Sequence, residues 1–138
     1  MKRFFSLVLA VMLFCTCLVG NASAVDTRRA SLTLNLYQVF LLKGSSDGEV
    51  CIDFCVQSNM RADSLGVESI KLYKSNGSYV TTIYGSTSNG LIEENSSIHQ
   101  GTYEYELDSG SYYAKVTVFA EDGSEYDSKT VTTSTVRV

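Results

Sequence analysis

Residues 111–120 read SYYAKVTVFA, and their alternation decides the fold of this chain. A period of two residues is typical of a β-strand with one buried face, because successive side chains point to opposite sides. The inner positions of this predicted strand are apolar, and the outer positions carry aromatic, basic and threonine side chains. The inner set is Tyr112, Ala114, Val116 and Val118, and the outer set is Tyr113, Lys115, Thr117 and Phe119.

The same alternation recurs along the chain, with turn residues between the segments. Asn76-Gly77 and Asp122-Gly123 are typical of tight hairpin turns. No segment after residue 24 has sustained helical periodicity, so about seven short strands predict a single antiparallel β-sandwich. The other predicted strands are residues 31–40, 49–57, 67–74, 79–84, 101–107 and 128–138, and residues 85–100 are predicted to be irregular or to hold a short edge strand.

The predicted core follows from the apolar side of each segment. Inward positions are expected at Leu32, Leu34 and Leu36, at Val50, Ile52, Phe54 and Val56, at Ile70 and Leu72, and at Tyr103 and Tyr105. The outer side of residues 49–57 and 101–107 is predicted to be acidic, with Asp53, Glu104 and Glu106 beside Cys51 and Cys55.

Residues 108–114, DSGSYYA, resemble the start of strand F in immunoglobulin-like domains, where the pattern runs Asp-x-Ala/Gly-x-Tyr-x-Cys. Tyr112 falls at the tyrosine-corner position, where the hydroxyl bonds the backbone upstream. Ala114 replaces the disulfide cysteine of antibody domains, and the chain has no tryptophan. The resemblance is therefore to disulfide-free immunoglobulin and fibronectin type III-like sandwiches, and it implies that residues 67–74 and 111–120 are neighbouring strands C and F.

The first residues have the three parts of a secretory signal peptide. Lys2 and Arg3 precede the apolar run 4–19, and Asn21-Ala22-Ser23-Ala24 supplies small residues before a cut. The sequence predicts a leader over 1–24 and one domain over 25–138, secreted or held at the cell surface through a partner. No second long apolar run follows, so no membrane span is expected after cleavage. This layout resembles small exported proteins of Gram-positive, clostridia-like bacteria.

Charge and motifs argue against several functions. The 15 acidic residues outnumber the 11 basic ones, and this balance opposes non-specific binding to nucleic acid. His99 is the single histidine, and there is no nucleophile elbow or phosphate-binding loop. Cys51, Cys55 and His99 do not match a zinc spacing. The sequence therefore predicts no catalytic residues, no cofactor and no metal, and the protein is not expected to be an enzyme.

Cys51 and Cys55 lie in one predicted strand, which keeps them apart. At this spacing their α-carbons are roughly 13 Å from each other, whereas a disulfide needs less than about 7 Å. They are predicted to be free thiols, with a bond between molecules as the alternative.

The candidate binding surface is the outer face of strands C and F. We expect it to carry Tyr73, Tyr113 and Phe119 flanked by Lys71 and Lys115. Exposed aromatics on one face often mark a contact surface, although tyrosine is also simply favoured in strands. The leading hypothesis is an adhesion or binding module for a protein partner. The alternatives are a carbohydrate-binding module using the tyrosines, and a structural subunit that assembles by edge-strand addition, which the absence of proline permits.

Overall fold

The computed structural model of the protein describes residues 31–138, so the predicted leader over 1–24 lies outside the described residues. Between Ser31 and Val138 no helix has the length and apolar character needed to cross a bilayer. The described chain is all-β, as predicted, and every strand pairing is antiparallel. Its strands are β1 (Leu34–Lys43), β2 (Glu49–Lys74), β3 (Tyr79–Tyr84), β4 (Ile92–Glu106), β5 (Ser111–Asp122), β6 (Glu125–Thr132) and β7 (Val136–Arg137).

The long strand β2 connects two groups of strands. Its first part, residues 49–58, pairs with β1 on one side and β4 on the other, and we call this group the β1 layer. Its second part, residues 64–74, pairs with β3 and β5, and β5 pairs in turn with β6 and β7; we call this group the β5 layer. Apolar side chains from both groups form one buried cluster. The arrangement is compatible with a β-sandwich.

The predicted inner positions of β2 and β5 are confirmed. They are buried because alternate side chains of each strand point into the shared core. The buried set includes Val50, Ile52, Phe54, Val56, Ile70, Leu72, Tyr112, Ala114, Val116 and Val118, and Tyr103 and Tyr105 pack against it partly buried.

Two strands are longer than predicted. Residues 58–66, which were outside any predicted strand, continue β2, and residues 92–100, where a short edge strand was one alternative, form the first part of β4. The cause is pairing: Ser64, Leu65 and Gly66 have β4 on one side and β5 on the other. Register shifts in β2 interrupt the period of two, and residues 65–67 are consecutively buried, so the alternation was hidden in the sequence.

A register shift also changes which side of β1 faces the core. Leu32, Leu34 and Leu36 were predicted to point inward together, but the shift lies between Leu34 and Leu36. Beyond it the inward residues are Val39 and Leu41, whereas Leu36 is exposed. A one-residue shift moves every following side chain to the opposite face. Phe40 and Leu42 are exposed for the same reason.

Hydrogen bonds between side chains and backbone connect the strands at their ends. The hydroxyl of buried Tyr112 donates to the carbonyl oxygen of Asp108 at 2.8 Å, which is the bond a tyrosine corner makes. At the start of β1, the backbone N–H of Leu32 donates to Glu125 at 2.7 Å and that of Leu34 donates to Asp127 at 2.9 Å. The bond from Leu34, aided by nearby Lys129, lowers the pKa of the Asp127 carboxyl.

Candidate functional site

The outer side of the β5 layer is organised in rows across the strands. Strands β2 and β5, the predicted C and F strands, are direct neighbours, and paired residues present their side chains on the same side of a sheet. The rows are Tyr79–Tyr73–Tyr113, then Thr82–Lys71–Lys115–Thr132, then Tyr84–Ser69–Thr117–Thr130. We call Lys71, Tyr73, Tyr79, Tyr113 and Lys115 the Tyr–Lys face.

The tyrosines of the first row contact one another. The rings of Tyr73 and Tyr113 are stacked, with centroids 5.3 Å apart and planes 12° from parallel. Tyr79 meets Tyr73 edge to face at a centroid distance of 5.9 Å. Such pairs contribute about 0.5–1.5 kcal/mol beyond their buried area. The row is therefore ordered before any partner binds.

The second row is cationic. The ammonium of Lys115 lies 5.4 Å from the centroid of the Tyr73 ring, within the range of a cation–π contact. Lys71 is paired directly with Lys115, and both are exposed. Arg137 pairs with Ser111 one row beyond Tyr113 and continues the same side. None of the three rows contains a carboxylate, although acidic residues outnumber basic ones in the chain as a whole.

Phe119 stands apart from the other four predicted binding residues. It lies on the outer side of β5 opposite Gly66, but only 6% of it is exposed. Tyr126 of β6 covers it, with the two rings stacked at 6.0 Å, and the Tyr126 hydroxyl donates to Glu68 at 3.1 Å. The side chain that a partner could reach here is Tyr126. Sequence alternation assigned Phe119 to the correct side and could not reveal this cover.

Two exposed tyrosines belong to this surface and were not among the predicted site residues. Tyr79 is 60% exposed and Tyr84 is 73% exposed, and both lie on β3. The Asn76-Gly77 pair in the sequence already indicated a hairpin turn that brings β3 back beside Tyr73. In the structure Gly77 has a φ of 89°, which suits such a turn. Pairing Tyr79 with Tyr73 follows from that hairpin.

Cys51 and Cys55 are not bonded to each other, and both lie on the outer side of the β1 layer. Burial raises the pKa of the Cys51 thiol to about 11, and the neighbouring carboxylates of Asp53, Glu104 and Glu49 act in the same direction. The Cys51 thiol donates to Asp53, with sulfur and oxygen 3.5 Å apart. Because the thiolate is the reactive form, Cys51 is poorly suited to exchange with a disulfide of another molecule.

We expect Cys51 to react with a thiol reagent at least about ten times more slowly in the folded protein than in denaturant. The measurement uses a variant in which Cys51 is the sole cysteine, followed from neutral to alkaline pH. The folded rate should still be rising at pH values where the unfolded rate has levelled off. Equal rates in the two states, or a plateau at the same pH, would contradict the raised pKa.

The other side chains that could take part in catalysis or metal binding are not gathered at one place in residues 31–138. The Nε2–H of His99 donates to the carbonyl oxygen of Gly90 at 2.8 Å, and its Nδ1 lies 3.9 Å from a carboxylate oxygen of Glu93. Its ring also meets the edge of Phe54 at 5.1 Å. Within residues 31–138, no three His, Cys, Asp or Glu side chains gather closely enough to hold a metal ion. A cleft of about 500 Å³ between β3 and the end of β4 is lined by Lys74, Glu106 and Asp108 among others.

The described surface therefore offers one ordered aromatic and cationic face. The sequence matches no known protein-family model, and a comparison with curated proteins finds no similar sequence.

Proposed function

We propose that this chain is an exported, non-enzymatic binding module of immunoglobulin-like architecture, and that it recognises an acidic protein through the Tyr–Lys face. The observation that carries the proposal is the ordered tyrosine row beside a row with two lysines and no carboxylate. Tyrosine is enriched among the residues that dominate binding energy at protein interfaces.

Two features support the immunoglobulin-like part of the proposal. The strand neighbours β1–β2–β4 and β3–β2–β5–β6 follow the order of strands A–B–E and C′–C–F–G in such sandwiches. The Tyr112 hydroxyl bonds the backbone of Asp108 as a tyrosine corner does. Domains of this architecture present flat sheet faces, on which side chains can be displayed without any catalytic machinery.

The ring geometry favours a protein over a sugar. Carbohydrate platforms present the flat faces of their aromatic rings, but the faces of Tyr73 and Tyr113 lie against each other. Tyr79 approaches the same cluster from the side. Stacked rings of this kind present their edges and hydroxyl groups outward, which suits hydrogen bonding to a polypeptide.

The charge of the face indicates an acidic partner. Lys71 and Lys115 are exposed neighbours, and each repels the other until an anion lies between them. Complementary charge across an interface accelerates encounter and rejects partners of the wrong sign. A carboxylate-bearing surface therefore fits this face better than a neutral or basic one.

Assembly through strand edges has weaker support than binding through this face. At one end of β1, the edge N–H groups of Leu32 and Leu34 already donate to the carboxylates of Glu125 and Asp127. An added strand would have to compete with these bonds along that part of the edge.

The test measures how tightly variants of the face bind a partner. That partner is first captured from the surrounding medium with the unchanged protein and then purified. Changing Tyr73 and Tyr113 to serine should weaken binding about 100-fold or more, because two central aromatic contacts are lost. Lys71→Glu with Lys115→Glu should have a similar effect while leaving the ring stack in place. Affinity is measured by calorimetry, and circular dichroism and a denaturant titration check that each variant is folded.

Tyr37→Ser is the matched control, because Tyr37 is an exposed tyrosine on β1 outside the Tyr–Lys face. It should bind as the unchanged protein does. Undiminished binding by both face variants would overturn the proposal. A glycan-array signal that disappears with the two tyrosines would instead assign the face to carbohydrate.

A further inference from the structure

The outer side of the β1 layer is the acidic counterpart of the Tyr–Lys face. Its rows across the strands run Glu49–Glu106, Leu42–Cys51–Glu104, Phe40–Asp53–Thr102, Gln38–Cys55–Gln100 and Leu36–Gln57–Ile98. We call Phe40, Leu42, Asp53, Glu104 and Glu106 the acidic face. None of these rows contains a lysine or an arginine.

The acidic face combines negative charge with exposed apolar side chains. Phe40 is 56% exposed, and Leu42 lies one row away on the same strand. Thr102 donates to Asp53 at 2.7 Å, which holds that carboxylate in place. Cys51 lies between Leu42 and Glu104, where burial and then the carboxylates of Asp53, Glu104 and Glu49 raise the pKa of its thiol.

The two outer faces of one chain are therefore complementary in chemistry. One offers lysines and tyrosine edges, and the other offers carboxylates beside exposed apolar groups. We propose that the acidic partner of the Tyr–Lys face is the acidic face of a second copy of this chain. The inference rests on the proposed function, since it names the partner of the same face.

The placement of the faces determines the kind of assembly. They are the outer sides of the two layers whose inner sides share the core, so a single copy cannot bring them together. A contact between unlike surfaces is head to tail, and it leaves one face free at each end. Copies therefore add successively, and the assembly grows beyond a dimer.

The charge of the whole chain makes this contact selective. The formal net charge is −4, so copies repel each other in most orientations. Apposing Lys71 and Lys115 to Glu104 and Glu106 reverses that repulsion at one pair of faces. Because such exposed charges are screened by salt, the association should weaken as ionic strength rises.

Sedimentation of the protein over a wide range of concentrations gives the first test. At low salt the average mass should increase with concentration past the mass of a dimer, and at about 1 M salt it should return to that of a monomer, since charges are then screened within about 3 Å. A single monomeric species at every concentration in low salt would overturn the inference.

Two charge-reversed variants give the second test. Lys71→Glu with Lys115→Glu disables one face, and Glu104→Lys with Glu106→Lys disables the other. Each variant alone should remain monomeric, whereas an equimolar mixture should associate again. The unchanged acidic face of the first variant meets the unchanged Tyr–Lys face of the second, and the two reversed faces also carry opposite charges. A mixture that stays monomeric would also overturn the inference.

Lys43→Glu with Arg61→Glu changes the charge equally at exposed positions outside both faces, and it should assemble as the unchanged protein does. The outcomes also separate this inference from the proposed function. If the protein stays monomeric but still loses a captured acidic partner on Lys71→Glu with Lys115→Glu, the face is a binding site and its partner is another protein.

Discussion

Replacing Gly66 with alanine should destabilise the fold by about 3 kcal/mol or more, which is a large fraction of the roughly 5–15 kcal/mol typical of a domain. Gly66 has a φ of 148°, and an added Cβ would clash with the carbonyl oxygen of Leu91 and lie 3.0 Å from the Cα of Ile92. Both contacts are with backbone of the chain that enters β4, so a rotamer change cannot relieve them. The free energy of unfolding in denaturant measures the effect.

Gly77→Ala is the matched control for that change. Gly77 also has a positive φ, of 89°, but a Cβ there would have no neighbour within 4 Å. Its loss should be limited to the backbone preference, about 1 kcal/mol. A Gly66→Ala protein no less stable than Gly77→Ala would show that the approach of β4 to β2 is looser than described.

Shortening Leu65 to alanine should cost about 2–5 kcal/mol, because it leaves a cavity where three strands meet. Leu65 is fully buried, and it pairs with Glu93 of β4 on one side and with Ala120 of β5 on the other. Neighbours held on both sides by sheet hydrogen bonds can collapse into the space only partially. The result should be a clear fall in the midpoint of a denaturant titration.

Leu42→Ala removes the same atoms from a side chain that is 46% exposed. It should change the free energy of unfolding by less than about 1 kcal/mol. Similar losses at Leu65 and Leu42 would contradict the position of Leu65 at the junction of β4, β2 and β5.

The sequence predicted the fold wherever the alternation of side chains is regular. Residues 49–57 and 111–120 kept one parity throughout, and their inner residues are buried as expected. The prediction was wrong where a register shift intervenes. Leu36 was expected inside, but the shift after Leu34 turns it outward, because a bulge depends on the partner strand and leaves no mark in local composition.

The candidate site was also predictable only where it depends on the regular alternation of side chains. The neighbouring positions of Tyr73 and Tyr113 followed from parity and from the likeness to strands C and F. The cover over Phe119 depends on Tyr126, which comes from a different strand and stacks on it only in three dimensions. Tyr126 was in the sequence, but its reach across to Phe119 required the register of β5 with β6.

The continuous strand β2 determines the geometry of any assembly in which copies join through the Tyr–Lys face and the acidic face. Since one strand belongs to both layers and is held on both sides at residues 64–66, the faces have a fixed relative orientation without a hinge. Each added copy would repeat the same rotation and translation, which generates a helix of constant pitch. Fibres of the protein should accordingly give sharp layer lines in diffraction, as irregular clumps would not.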